Sequence, residues 1–458
     1  MKRESEPQNL KSNWCMRRKI LAIGFLVLSA CHFSSAQEQI TLEQVIALAL
    51  EKNYDVQVMQ KLSESAETDK KLAWGAFLPQ INATGSRAWN DNYQKLRVRS
   101  RETNDIIAQE GDVASNNINA SAQLVWTLFD GARMFARRER LAVFAEQSQL
   151  AVKEQMVNTI AETIANYYDI VRQKQQMKAI QEQMSVSEER VKLAERKLQV
   201  GTGIKPELLQ ARVDYNAQRA QVLQQQSTID QLKQRLNALV GLQLPSVYEV
   251  ADTIVIDLNM DAEELLSNFE NSNYSLQVAR QNVRAANLAL RERRAEYLPF
   301  INFNAAYNFA KTDNTRLINP YGTLFFQQYG YNYGFSFTLP IFNGMNTRRL
   351  NQQARIEIDR QALLYNQLRT DVNVGMTNAY INYDNAKKIL LIEEETIGLA
   401  KENIYIALES FKRGVTTFIE LRTAQQSLAE AYSRLITARY NAKLAETELL
   451  RLKGSLLN

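Results

Sequence analysis

From Gly131 to Gln199 the chain runs sixty-nine residues with no proline and no glycine beyond the first position. As one helix, at 1.5 Å per residue, that stretch would reach roughly 100 Å, a width few soluble cores possess. It follows LVWTLFDG (Leu124 to Gly131), the end of an alternating aromatic strand, and stops at VGTG (Val200 to Gly203), which offers two glycines to a turn. Its apolar residues keep a 3-4 spacing, through Val157, Ile160, Ile164, Tyr167 and Val171, then through Met177, Ile180, Met184, Val191, Ala194 and Leu198 with Ser187 in the seam. A second helix is expected from Ile204 to Val240, with Pro206 tolerated in its first turn and Gly241 as its stop.

The whole pattern occurs twice. TLEQVIALALEKNYDVQV aligns with DAEELLSNFENSNYSLQV, placing Asn53-Tyr54 on Asn273-Tyr274 and Leu78-Pro79 on Leu298-Pro299, each 220 residues apart. LFDG at Leu128 aligns with IFNG at Ile341, Gly201 with Gly414 and Gly241 with Gly454, each 213 apart. The difference falls in the strand and loop region, where length changes are best tolerated. The organisation read from this is an export signal over 1–36, a first repeat over 41–240, a linker over 241–260 and a second repeat over 261–454. Within the first repeat, Thr41 to Leu78 reads as one helix that opens on a Thr41/Gln44 capping box and ends at Pro79.

Arg17, Arg18 and Lys19 precede an apolar run from Ile20 to Ala30, too short to span a bilayer and suited to an export signal. Two processing readings stand side by side: cleavage after Ser34-Ser35-Ala36, and a lipobox, Leu28-Ser29-Ala30-Cys31, that would make Cys31 an acylated N-terminus. Beyond that region there is no cysteine and no histidine, because Cys15, Cys31 and His32 are the only ones. A thiol nucleophile, an imidazole base, a His-ligated zinc and a disulfide framework are thereby excluded from the exported chain. Carboxylate-only catalysis stays open, though no Gly-rich phosphate loop and no compact globular pattern supports it, and no cofactor, metal site or catalytic residue is expected. The formal charge is +5, of which residues 1–36 hold +4, leaving no electrostatic footprint for nucleic acid.

Each repeat carries two alternating runs. Ile81 to Trp89 and Ile118 to Trp126 form the first pair, with the polar stretch between them read as a loop to Ser115. The second pair is clearer: Ile301, Phe303, Ala305, Tyr307 and Phe309 alternate with small polar residues, as do Tyr329, Tyr331, Tyr333, Phe335 and Phe337. Strands about ten residues long, apolar on one face and small and polar on the other, suit the wall of a transmembrane β-barrel. The competing reading is an amphipathic sheet over a soluble core. Four strands cannot close a barrel alone and lipid tolerates no open edge, so the membrane reading requires oligomerisation. In each repeat the two shorter helices together match the length of the long one, so they can stack end to end beside it.

With KLQVGTGIKPELLQAR and SFKRGVTTFIELRTAQQSL at its two helical tips, the duplicated order of helix, strand, loop, strand, long helix, turn and helix resembles the TolC family of outer-membrane efflux and secretion channels over residues 40 to 454. The resemblance implies an α plus transmembrane β fold: long antiparallel coiled-coil helices forming a periplasmic α-barrel, and four strands per chain contributing to a 12-stranded outer-membrane barrel in a homotrimer. It also implies a periplasmic adaptor and an inner-membrane pump as partners. The function it implies is passive conduction of substrates from that pump to the exterior, with outer-membrane lipid around the strands and no bond chemistry. The runner-up is a lipid-anchored coiled-coil scaffold or adhesin.

By the same resemblance the tips that receive the adaptor are Val200, Gly201 and Thr202, and Arg413, Gly414 and Val415. Six residues beyond the tip glycines sit Glu207 and Glu420, the latter matching a family gate carboxylate in charge. The next family acid falls on Thr423, and the family's tip Tyr and Arg fall on Phe411 and Thr416, so a gate here rests on packing and on Glu420. An acid in the first turn of a helix is also favoured by the helix dipole alone, and that plainer reading has equal standing.

Overall fold

Helices and strands follow one another in a recurring order along the chain. This computed structural model describes residues 38–99, 104–245, 248–260, 269–319 and 321–457. The first copy holds β1 (Glu38–Gln39), α1 (Leu42–Lys52), α2 (Tyr54–Leu72), β2 (Gln80–Arg99), β3 (Ile106–Asp130), α3 (Arg133–Gln199) and α4 (Lys205–Leu239). After β4 (Tyr248–Glu249), the second holds α5 (Phe269–Ser272), α6 (Tyr274–Ala295), β5 (Phe300–Arg316), β6 (Phe325–Thr338), α7 (Asn346–Lys412) and α8 (Phe418–Lys453). The export signal, with Cys15, Cys31 and His32, and the start of the second repeat over 261–268 lie outside the described residues.

The single helix expected from Thr41 to Leu78 is two, and the break has a cause. Thr41 and Gln44 do make the capping box, but Asn53 leaves the helix at φ −62, ψ 129. Its side-chain amide donates to Leu239 O at 3.0 Å, a carbonyl in the last turn of α4 that has no partner within its own helix. In the second copy Asn273 does the same to Leu452 O at 2.8 Å and caps α6 at Leu276 N. Opposite each asparagine stands a glycine in the left-handed region. Gly241 (φ +66) closes α4 with Gly241 N to Ala238 O and Leu242 N to Asn237 O, and Gly454 (φ +77) closes α8 through Arg451 O and Leu450 O, the paired bonds of a Schellman turn. A Cβ on Gly241 would lie 2.9 Å from Lys52 O, and one on Gly454 2.5 Å from Ser272 O, so the backbones meet there too closely for any side chain.

β2, β3, β5 and β6 form one antiparallel sheet in that order, with β2 and β6 as its edges. The register sets Ile81, Leu124, Ala305 and Tyr333 in one row and Ala83, Ala122, Tyr307 and Tyr331 in the next, so one apolar face runs unbroken across all four strands. On the other face Ser121 Oγ donates to Asn308 Oδ1 (2.8 Å), Asn308 to Asn332 (2.7 Å) and Asn304 to Ser336 (3.0 Å). The strands are longer than the expected ten residues. In particular the polar stretch from Asn90 to Ser115, read as loop, is largely strand: β2 and β3 stay paired to Arg99 and Ile106, past the last β3–β5 pair at Ala114 and Arg316. That ribbon hid from a hydrophobicity reading because cross-strand pairs such as Lys95 with Glu110 (2.9 Å) hold it instead of an apolar face.

The chain divides into two compact units, each drawing on both copies. The one holding Thr159–Leu258 and Tyr383–Thr447 has a core of Leu390, Ile397, Ala431, Leu435, Ala438 and Ala442. Residues 248–260 pack on it through Ile256 and Leu258 and are held by tyrosine hydroxyls. Tyr167 donates to Ile40 O and accepts from Ala251 N, while Tyr383 donates to Asp257 O at 2.7 Å. The other unit contains the sheet and packs Phe269, Leu276, Val372 and Met376 together, and Val143 with Ala285 and Leu288.

Candidate functional site

At the first tip α3 ends in a Schellman turn, with Gly201 N to Leu198 O and Thr202 N to Lys197 O, and at the second α7 ends likewise, with Gly414 N to Phe411 O and Val415 N to Ser410 O. Gly201 (φ +79) and Gly414 (φ +75) supply the left-handed residue, and a Cβ on either would meet open space. Conformation fixes the tip glycines, whereas close approach also fixes Gly241 and Gly454. Around them Val200 (73 % exposed), Ile204, Val415 (80 %) and Ile419 stand uncovered, four apolar side chains on two turns. Thr202 Oγ1 turns back to Lys197 O, and Arg413 is exposed.

The structure separates the five gate candidates. Thr417 is the N-cap of α8 and Glu420 its third residue: Glu420 N donates to Thr417 Oγ1 (3.3 Å) and Thr417 N to Glu420 Oε2 (3.0 Å), a reciprocal capping box. Thr416 Oγ1 also donates to that carboxylate, and the hydroxyl of Thr416 followed by the amide of Thr417 holds Glu420 below the ordinary carboxylate range. Within one chain, then, Glu420 ties down the start of α8. Glu207 occupies the equivalent turn of α4, but its N-cap is Ile204, which has no side-chain oxygen to offer, and the first turn relies on proline instead. Thr423 bonds its own helix at Ile419 O. Phe411 is buried, with Lys197 Nζ 4.3 Å from its ring centroid, and so joins the two tips from inside.

Beside Phe411 lies a constellation that the sequence reading missed. Arg190 of α3, 5 % exposed, places one guanidinium nitrogen 2.6 Å from Asp214 of α4 and another 2.6 Å from Gln425 Oε1 of α8, with its plane 4.4 Å over the Phe418 ring. Arg422 of α8 approaches the same Asp214 at 3.6 Å. One buried cation thus joins α3 to the next helix of its own copy and to a helix of the other copy. The available signal was positional: Arg190 falls three residues after Ser187 and four before Ala194, both seam residues, so a charge occupied an apolar spacing.

Among the described residues no cluster of three or more His, Cys, Asp or Glu side chains is placed to hold a metal, and no helix is long and apolar enough to cross a membrane. Neither statement bears on the strands.

The sequence profile described as outer membrane efflux protein matches residues 45–242 and 265–455. Outer membrane protein TolC of Salmonella enteritidis is 21% identical over 447 residues, covering 96% of this chain and 87% of that protein. Outer membrane efflux protein BepC of Brucella suis is 23% identical over 352 residues, covering 72% and 71%. Among solved structures, the CmeC outer membrane channel of Campylobacter jejuni superposes with a TM-score of 0.73 at 16% identity, covering 90% of this chain and 85% of that one. The open state of the MtrE outer membrane channel of Neisseria gonorrhoeae superposes at 0.70 and 17% identity, covering 91% and 89%. At these identities the superpositions speak for a shared fold.

Proposed function

The chain belongs to the outer membrane efflux protein family and is an exit duct of the outer membrane, and we propose that it works as a homotrimer completed by a periplasmic adaptor and an inner-membrane pump. The observation that carries the trimer is the sheet: its apolar face runs unbroken across four strands, its other face is an Asn and Ser ladder, and both edges are open. Hydrocarbon tolerates an apolar face and forbids an unpaired edge. Pairing β6 of one copy with β2 of the next removes every edge, and three copies give twelve strands around a polar lumen.

Energy comes from the pump, and the duct supplies a water-filled path without bond chemistry. The adaptor docks on the two tips, at Val200, Gly201 and Thr202 and at Arg413, Gly414 and Val415, where the uncovered Ile204 and Ile419 add apolar area. The gate is the ring of tips closed by packing, with Phe411 as an internal joint and Thr416 and Glu420 fixing the start of α8; Glu207 and Thr423 line the same turns. In this chain the hold between the two helix pairs falls to Arg190, Asp214 and Gln425. Light scattering on the detergent-solubilised full chain tests the trimer. A mass of three chains with heat-dependent gel migration is the expected result, and a folded monomer would overturn it.

A further inference from the structure

The strands end among exposed aromatic and aliphatic side chains: Trp74, Phe135, Tyr297, Ile341 and Phe342 are all more than half exposed. Such residues mark the boundary between hydrocarbon and headgroups. Immediately beyond it the chain becomes basic. Residues 131–140, 289–299 and 339–349 hold nine arginines against Glu139, Glu292 and Glu296, a charge of +6 in an exported chain that totals about +1. The three acids are already engaged. Arg140 grips Glu292 with two bonds (2.7 and 3.1 Å), Arg293 holds Glu296 at 2.8 Å and Arg291 approaches Glu139 at 3.5 Å.

Arg133, Arg137, Arg138, Arg294 and Arg348 have no acid or hydrogen-bond acceptor among the described residues, and all but the half-buried Arg133 are exposed. Arg349 bonds the amide oxygens of Gln353 and Asn346, with no acid partner among the described residues. Arg291 and Arg294 open onto a groove of about 620 Å³ lined further by Arg280, Arg284 and Tyr365, with no Asp or Glu in its wall. The arginines from Arg133 to Arg140, from Arg291 to Arg294, and Arg348 and Arg349 lie within a few helical turns of the strand ends, a depth that headgroup thickness and the reach of an arginine side chain can bridge.

We propose that these arginines form a collar that binds the phosphate groups of anionic phospholipid in the periplasmic leaflet. The chemistry fits: a planar guanidinium pairs bidentately with phosphate and sheds its hydration more easily than an ammonium. An uncompensated set placed beyond an aromatic girdle sits where phosphates are dense. The collar fixes the depth of the barrel in the bilayer and gives the duct a preference among lipids. The proposal rests on the outer-membrane reading above.

The test uses the full chain in phosphatidylcholine vesicles with and without phosphatidylglycerol. Wild type is compared with Arg137→Gln/Arg138→Gln/Arg294→Gln/Arg348→Gln, with the four Arg→Lys changes, and with Lys205→Gln/Arg219→Gln, which removes two cations of α4. Lipid retained after detergent extraction is read by native mass spectrometry, and heat-dependent gel migration confirms folding. Wild type should retain phosphatidylglycerol over phosphatidylcholine. The glutamine variant should lose at least about tenfold of that preference, given roughly fivefold per cation at an anionic surface; the lysine variant should fall between it and wild type, because an ammonium keeps the charge without the bidentate pairing, and the α4 variant should keep the preference. If the full variant does not fold, Arg137→Gln/Arg138→Gln alone should lose part of the preference. Equal retention by all variants would overturn the collar, as would loss of the wild-type preference in millimolar inorganic phosphate. A change of ion selectivity with unchanged retention would also overturn it, by placing the arginines in the lumen. Wild-type conductance in both lipids reports separately on the duct reading.

Discussion

In the first copy Asn53 reaches Leu239 O and Gly241 lies against Lys52 O; in the second Asn273 reaches Leu452 O and Gly454 lies against Ser272 O. The same contact, made from residues at equivalent positions, appears twice. The copies part in their strands and in the starts of α4 and α8. Strands β2 and β3 run 20 and 25 residues against 17 and 14 for β5 and β6, and α4 starts on Ile204 and Pro206 where α8 starts on the Thr417 and Glu420 box. The repeat is kept where backbone meets backbone, and at the tips where a turn needs a left-handed residue, because only particular residues fit there. It drifts where side chains face lipid or water, because many residues do.

The sharpest way to break this comparison is at the glycines. Gly454→Ala adds a clash with Ser272 O to a left-handed strain and should lower stability by about 3 kcal/mol. Gly414→Ala, with the same φ sign and open space, should cost only about 1 kcal/mol, and equal shifts in thermal midpoint would refute the distinction. Arg190→Leu leaves Asp214 partly buried without its main partner, and a loss of about 3 kcal/mol is expected. The loss should be accompanied by a larger single-channel current, whereas an unchanged current would remove Arg190 from the account of closure. Asn53→Ala and Asn273→Ala each strand a helix-terminal carbonyl and should each cost about 1 kcal/mol. Clearly unequal losses would show that the two joints are not equivalent.

The smallest effect is at the start of α8. Because Glu420 is held below the ordinary value of 4.5 by Thr416 and Thr417, its contribution is present at neutral pH and is lost as pH falls through the lowered value, below 4.5. Hydrogen exchange at the first turn of α8 should therefore accelerate only in that acid range in wild type and at all pH values in Glu420→Ala.

Much of this architecture was legible because its signals are periodic. The 3-4 spacing of α3 and α8, the period-2 alternation of β5 and β6, and the 213- and 220-residue offsets each come from one repeating physical constraint. What stayed hidden was held by single contacts. The break at Asn53 depends on a carbonyl 186 residues away, and the Arg190 contacts join partners 24 and 235 residues apart. Glu420 was legible as a tip acid, but its capping role needed the geometry of Thr417.

Single-channel recording of the purified full chain in a planar bilayer tests the central claim most directly, with wild type set beside Arg190→Leu and Glu207→Ala/Glu420→Ala. The account predicts discrete conductance in wild type and a larger current when the Arg190 contacts are cut, with at most a small change in the double alanine variant. Absence of discrete conductance from well-folded, heat-modifiable protein would contradict the duct.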